Sequence, residues 1–144
     1  MDAPVRILLV EDNPADVFLM REALQQAGMR FELTVIEDGE EALRRMRRES
    51  PYEDAPHPDM VLLDLNLPRN DGREVLQAIR SDPEMKDTIV AILSSSESPL
   101  DRRQVAELKA NCYITKLPDL DQYMQIGVHL RELWESNRTK ARDR

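Results

Sequence analysis

A single cysteine stands in this 144-residue chain, so no internal disulfide can form and packing alone must hold the fold. No stretch approaches the roughly 18 consecutive apolar residues that a membrane span requires. The N-terminus, MDAPVRILLVED, has a short apolar run but neither the basic segment nor the long apolar core of a secretory leader. Positive charge is also in deficit, with 28 acidic against 20 basic side chains and a net charge of −8. That balance disfavours a nucleic acid or an anionic membrane as the main partner and suits a protein or a bound cation. These absences predict a soluble, cytoplasmic protein. The 41% of hydrophobic residues suffice for one domain around one core.

What is present alternates regularly. Apolar runs of strand length and branched composition occur at residues 5–10 (VRILLV), 31–36 (FELTVI), 60–65 (MVLLDL), 88–93 (TIVAIL) and 112–115 (CYIT). Cys112 sits in the last of them and reads as a small buried hydrophobe. Between the runs lie helical patterns. In residues 14–28, Pro14 suits a first turn, an apolar stripe runs through Leu19, Met20, Ala23, Leu24 and Ala27, and Gly28 is a stop. Residues 40–49 form a second helix, 71–82 a third capped by Asp71, 98–110 a fourth capped by Ser98 before Pro99, and about 119–137 a fifth. Strands apolar on both faces that alternate with helices predict a parallel sheet covered on each side. The one long irregular piece, residues 50–59, holds three of the nine prolines and reads as a connecting loop.

In such a sheet a ligand binds outside the carboxyl ends of the strands, where the winding reverses. Those ends carry Glu11 and Asp12, then Asp64, then Ser94 and Ser95, and finally Lys116. Taken singly, each has a plain structural explanation. Asp12 could cap the first helix, Ser94 could be a solvated turn hydroxyl, and Asp64 could make an Asx-type turn. Taken together they could not rest uncompensated, because two carboxylates about 4 Å apart repel by about 4 kcal/mol at an effective dielectric near 20. An oxygen-only donor set with room for water suits Mg²⁺, and Lys116 supplies a compact positive charge opposite it. A dication, a lysine and a hydroxyl around one carboxylate are what phosphoryl transfer onto that carboxylate needs.

Four motifs in order, VED, LLDLNLPRNDG, ILSSS and CYITK, resemble those of the receiver domains of bacterial two-component response regulators, over about residues 4–134. The resemblance implies a three-layer, doubly wound (βα)5 flavodoxin-like fold with a five-stranded parallel sheet in the order 2-1-3-4-5. It implies Asp64 as phosphoacceptor, and Glu11 and Asp12 as the acidic pair that holds Mg²⁺ with Asp64 and the backbone carbonyl of Asn66. Ser94 then matches the switch hydroxyl, Lys116 the family's lysine and Tyr113 the switch aromatic. Asn66 and Ser96 take the positions that tune the lifetime of the phosphoryl group. A phosphoryl group adds roughly −1.5 to −2 charge, so Ser94 should be drawn to it, and Tyr113 should turn inward behind it. Pro68 and Gly72 should shape the turn beneath the site. Two departures stand out. Leu117 separates Lys116 from Pro118, where the family has proline directly after the lysine, and Ser94 replaces the commoner threonine.

LLDLNLPRNDGREVL, YEDAPHPD and NCYITK resemble more narrowly the single-domain regulators that serve bacterial phytochrome histidine kinases. The partner this implies is a sensor histidine kinase, with light as the stimulus, and the signal then passes either by protein contact or by phosphotransfer to a histidine-containing phosphotransfer protein. Residues 138–144 read as a short basic tail, too short for a DNA-binding output domain. Leu120, Tyr123, Met124, Gly127, Leu130 and Trp134 share one face of the last helix, and Trp134 with Leu130 is a candidate for a homodimer contact. His57 and His129 show no metal-ligand pattern and are expected to be solvated. Other classes fare worse. A flavodoxin-like electron carrier would have its flavin phosphate repelled by EDNPAD. An aspartyl phosphatase would want an acid where Asn66 stands. A pseudo-receiver that works without phosphorylation is the alternative reading, although its usual mark is a lost acid or lysine. The expected role is therefore a phosphoacceptor in signalling, not an enzyme, with self-directed phosphorylation and dephosphorylation only.

Overall fold

Strands and helices alternate as β1 (Val5–Val10), α1 (Pro14–Gln26), β2 (Phe31–Ile36), α2 (Gly39–Met46), β3 (Met60–Asp64), α3 (Gly72–Ser81), β4 (Ile89–Ser94), α4 (Pro99–Glu107), β5 (Cys112–Thr115) and α5 (Leu120–Arg142). This computed structural model describes residues 3–67, 71–117 and 119–142, with side chains through Arg138. All five strands are parallel, in the order β2-β1-β3-β4-β5. The doubly wound receiver arrangement expected from the motifs is the one observed.

The strand sequences explain the layers. In β1, β3 and β4 successive residues point to opposite faces, and both faces are covered. Leu8, Val10, Val61, Leu63, Val90 and Ile92 pack against Leu43, Met46, Leu76, Ile79 and Val105 of α2, α3 and α4. Ile7, Leu9, Met60, Leu62, Ala91 and Leu93 pack on the other face against Met20, Ala23, Leu24, Tyr123, Ile126 and Leu130 of α1 and α5. Over residues 31–35 the edge strand β2 instead alternates, with Phe31, Leu33 and Val35 packed on the α1 and α5 side and Glu32 and Thr34 exposed, since the other face is open to solvent there.

Helix starts follow side-chain capping. Asp71 and Ser98 cap α3 and α4 as expected, and Asp38 caps α2. The cap of α1 is Asn13, whose Oδ1 accepts from the Ala15 amide at 2.9 Å, so Asp12 is left free of that duty. Gly28 lies just past α1 at φ 79°, a left-handed conformation that favours glycine. On α5, Gly127 faces Ala23 of α1 so closely that a Cβ there would come within 2.1 Å of the Ala23 carbonyl oxygen. A glycine is what lets these two helices touch through their backbones. Arg131 Nη1 then donates to the Ala27 carbonyl at 2.7 Å and satisfies the end of α1.

Several expectations need correcting. Helix α5 continues to Arg142 and does not stop at Asn137, so the basic segment extends the helix. Leu130 is fully buried in its own core, packed with α1 and the sheet, and is not available to a second copy of the chain. Leu120 is 59% exposed because it lies at the very start of α5, beyond the edge of the sheet. His57 does not stand free in solvent: its Nε2 lies 3.1 Å from Glu84 Oε2 and ties the 50–59 loop to the segment after α3. His129 is exposed, as expected. Cys112 is half-buried, and burial pushes its thiol up to about 11.

Candidate functional site

Asp64 is the last residue of β3, and its neighbours explain how a carboxylate is held where a core strand ends. The Leu65 amide still pairs with the Leu93 carbonyl at 3.1 Å, so β3 stays registered against β4 as the chain leaves the sheet. The Asp64 side chain turns back to accept from the Asn66 amide at 3.0 Å. This is the Asx-type turn that the residue could have made for structural reasons alone, and here it also fixes the carboxylate. Gly72 closes the turn from the far side. Its amide donates to the Leu65 carbonyl at 3.2 Å, and a Cβ in its place would lie 2.5 Å from the Asp64 carbonyl oxygen. Close approach of backbones, not flexibility, accounts for this glycine. Pro68, the other residue expected to shape the turn, lies outside the described residues.

Around Asp64 the ends of β1, β4 and β5 converge. Glu11, Asp12 and Asp64 each offer a carboxylate oxygen, and these oxygens lie within 4.8 Å of one another. Glu11 and Asp64 are buried at 1% and 6% exposure, whereas Asp12 is exposed. Lys116 reaches into the cluster from the end of β5. Its Nζ donates to Glu11 Oε1, to Asp16 Oδ2 at 3.0 Å and to Asp64 Oδ2 at 3.1 Å. Its amide donates to the Ser94 carbonyl at 2.7 Å, which locks the lysine's backbone to β4. Ser94 is completely buried, and its Oγ accepts from the Ser96 amide at 3.0 Å. The serine is therefore no solvated turn hydroxyl.

The electrostatics follow from burial. Burial first, and then the hydrogen bond and charge of Asp64, push the Glu11 carboxyl up to about 7, against the opposing pull of Lys116. Burial disfavours the Lys116 ammonium, yet the hydrogen bond to Glu11 and the field of Asp64, with Asp16 adding to them, outweigh it and hold the group above its ordinary value. The rim thus carries three oxygen donors in reach of one centre, a donor set of the kind Mg²⁺ or Mn²⁺ takes. The residues present fit such an ion.

Asp16 is the member of this site that sequence reasoning missed. It lies in the first turn of α1, directly after the acids that end β1, and that position was the available signal. The Asp16 carbonyl also accepts from the Tyr123 hydroxyl at 3.2 Å, which links α5 to the rim. Beside Lys116 a cleft of about 550 Å³ opens between α1 and α5, lined by Asn13, Asp16, Leu19, Ser95, Leu117, Leu120 and Tyr123. Leu117, the residue inserted after the lysine, is 37% exposed there, and Pro118 lies outside the described residues. Tyr113 is half-buried against the core face of α2, α3 and α4, and its hydroxyl donates to the Ser96 carbonyl at 2.7 Å.

A buried strand-end carboxylate, an acidic pair and a lysine on a 2-1-3-4-5 parallel sheet define a receiver. Residues 7–126 match the response regulator receiver domain, and the chain belongs to that family. It is 38% identical over 131 residues to the response regulator Rcp1 of Synechocystis sp., covering 91% of this chain and 89% of that protein. Among solved structures it is similar to the phosphorylated cyanobacterial phytochrome response regulator RcpA, with 45% identity, a TM-score of 0.86, and 94% and 96% of the two chains covered. The Mn²⁺-bound form of Rcp1 gives 38% identity and a TM-score of 0.84, covering 91% of this chain and 94% of that one. The protein is thus a receiver-type response regulator of two-component signalling, related to phytochrome response regulators, and a signalling protein rather than a classical enzyme. Among the described residues no helix is long and apolar enough to cross a membrane.

Proposed function

We propose that the chain accepts a phosphoryl group on Asp64 from a phosphohistidine of a sensor histidine kinase of the phytochrome type. The observation that carries this reading is the Asp64 carboxylate with Lys116 Nζ at 3.1 Å and with carboxylate oxygens of Glu11 and Asp12 within 4.8 Å. Glu11, Asp12, Asp64 and the Asn66 carbonyl would hold Mg²⁺, which supplies charge neutralisation on the transferring phosphoryl oxygens. An Asp64 carboxylate oxygen attacks phosphorus in line, the O–P bond forms as the donor's N–P bond breaks, and the released imidazole takes a proton from solvent. Lys116 donates to a phosphoryl oxygen, and Ser94, once its hydroxyl turns toward the new charge, donates to another. Asn66 and Ser96 take the positions that, by the family resemblance, tune how long the phosphoryl group survives.

The signal then passes by contact with a partner protein or by transfer to a histidine-containing phosphotransfer protein, in the cytoplasm. A homodimer is part of this reading. With Leu130 withdrawn into the core, it rests on Trp134, which is only partly buried near the end of α5. Sedimentation that finds only monomer at micromolar concentration removes it.

Intact mass after incubation with Mg²⁺ and acetyl phosphate tests the central claim. One added phosphoryl group in the parent, none in Asp64→Ala and none with the metal chelated, is the expected result. No gain in the parent, beside a competent receiver that is labelled, overturns it in favour of a pseudo-receiver.

A further inference from the structure

Arg73, in the first turn of α3, has no part in the acidic cluster, yet its guanidinium is engaged both with the cap of its own helix and with α4. Its Nε donates to Gln104 Oε1 at 2.6 Å, its Nη1 to Asp71 Oδ2 at 2.8 Å and its Nη2 to Asp101 Oδ1 at 2.5 Å. Both ends of the ion pair are largely withdrawn from solvent, with 24% and 23% of their side chains exposed. The other oxygen of Asp101 accepts from the Ser96 hydroxyl at 2.7 Å, and the Ser96 Oγ in turn accepts from the Ser98 amide at 3.1 Å. Ser96 is therefore held at its side chain. Its backbone faces the candidate switch, since its amide donates to Ser94 Oγ at 3.0 Å and its carbonyl accepts from the Tyr113 hydroxyl at 2.7 Å. Arg102, next to Asp101, covers the Tyr113 ring at 4.5 Å and donates to Thr115 Oγ1 at 2.9 Å.

We propose that Arg73 is a positioning residue which, through Asp101 and Ser96, clamps the β4–α4 loop in the arrangement that receives the Tyr113 hydroxyl and so favours the inward position of that tyrosine. This deepens the Asp64 reading and rests on it for its consequence. The physical argument is one of shared restraint. A planar guanidinium that bonds α3, Asp101 and Gln104 together fixes both helix starts in one geometry, which a lone serine hydroxyl cannot do. The Ser96 carbonyl is then already placed where the tyrosine hydroxyl must meet it, so less ordering remains when Ser94 engages a phosphoryl group. Removing the guanidinium releases Asp101 to solvent and lets Ser96 rotate, shifting the loop away from that arrangement.

The test uses the full chain with Arg73→Met, with Arg73→Lys, which keeps the charge and loses the fork, and with Asp101→Asn, which keeps an acceptor for Ser96 and loses the ion pair. Two quantities are read: amide hydrogen exchange at Ser96 and Ser98, and the affinity for beryllium fluoride in saturating Mg²⁺ against the affinity for Mg²⁺ alone. In Arg73→Met exchange at both amides should rise, and beryllium fluoride should bind about three- to ten-fold more weakly, with Mg²⁺ affinity unchanged. Arg73→Lys should fall between, and adding Asp101→Asn to Arg73→Met should change little. Unchanged exchange, or equal losses in Mg²⁺ and beryllium fluoride affinity, overturns the clamp. If the parent binds no beryllium fluoride, the Asp64 reading falls and takes the clamp's effect on the switch with it, while exchange alone still decides whether the loop is clamped.

Discussion

Replacing Lys116 with methionine tests the electrostatic logic of the site directly. Methionine keeps most of the apolar stem and removes only the ammonium. In the parent that ammonium lies about 3 Å from carboxylate oxygens of Asp16 and Asp64 and also bonds Glu11. At an effective dielectric near 20 each such contact is a gross attraction of about 5 kcal/mol, most of it offset by the cost of stripping water from the charges. The net effect of the change comes from what is left behind. Glu11 is 1% exposed and the Asp64 side chain 9%, so neither can recover its hydration, whereas Asp16 at 21% recovers part. Breaking a buried pair from one side costs about 3–5 kcal/mol, and the partial escape of Asp16 points to the lower end, about 3 kcal/mol. Denaturant unfolding at pH 8 in chelator measures this as a lower midpoint at an unchanged slope. Saturating Mg²⁺ at a hundred times its Kd stabilises by about 2.7 kcal/mol, and the variant, freed of the competing ammonium, should bind the ion more tightly than the parent. The loss should therefore shrink in Mg²⁺. A variant within about 1 kcal/mol of the parent in chelator, or one equally impaired with and without Mg²⁺, refutes the reasoning.

The remaining predictions concern the proton at Glu11 and the contact between α1 and α5. Because burial, then Asp64, lift Glu11 from 4.5 to about 7, the metal-free folded chain holds a proton that the unfolded chain has already released between those values. The group's contribution to stability is accordingly full below pH 4.5 and lost as pH rises through about 7. Mg²⁺ must displace that proton, so its affinity should be about ten-fold weaker at pH 6 than at pH 8, and calorimetry that finds no pH dependence contradicts this. Gly127→Ala should lower stability by about 3 kcal/mol, since its Cβ would fall 2.1 Å from a backbone oxygen that cannot move aside alone. A thermal midpoint unchanged from the parent would mean that α1 and α5 are not in backbone contact.

The strand and helix alternation was legible because the signals are local. The stretches ILLV at 7–10 and MVLL at 60–63 are apolar at every position, and only a strand covered on both faces can bury all of them. The caps at Asp71 and Ser98 were equally readable, since a side chain that bonds an amide two or three residues on needs no partner from elsewhere. The acids at the ends of β1 and β3 and the lysine after β5 could be grouped on one rim by topology alone.

Tertiary structure decided the rest, wherever the answer depended on which residue faces which across the fold. Leu120, Leu130 and Trp134 share one helical stripe, yet one is exposed, one is fully buried and one is partly buried, because the sheet is shorter than α5. Asp16 joins the lysine, and Arg73 meets Asp101, only because parallel crossovers bring helix starts to the same end of the sheet. Gly127 looks like an ordinary helix glycine in sequence and Gly72 like a turn former, and only the backbones packed against them show why no larger residue fits. By itself the sequence determined the elements, their order and the kind of chemistry at the rim, since these follow from local pattern and topology. The burial that raises Glu11, the partners of Lys116 and the bonds that restrain Ser96 depend on distances between segments far apart in the chain, which packing alone sets.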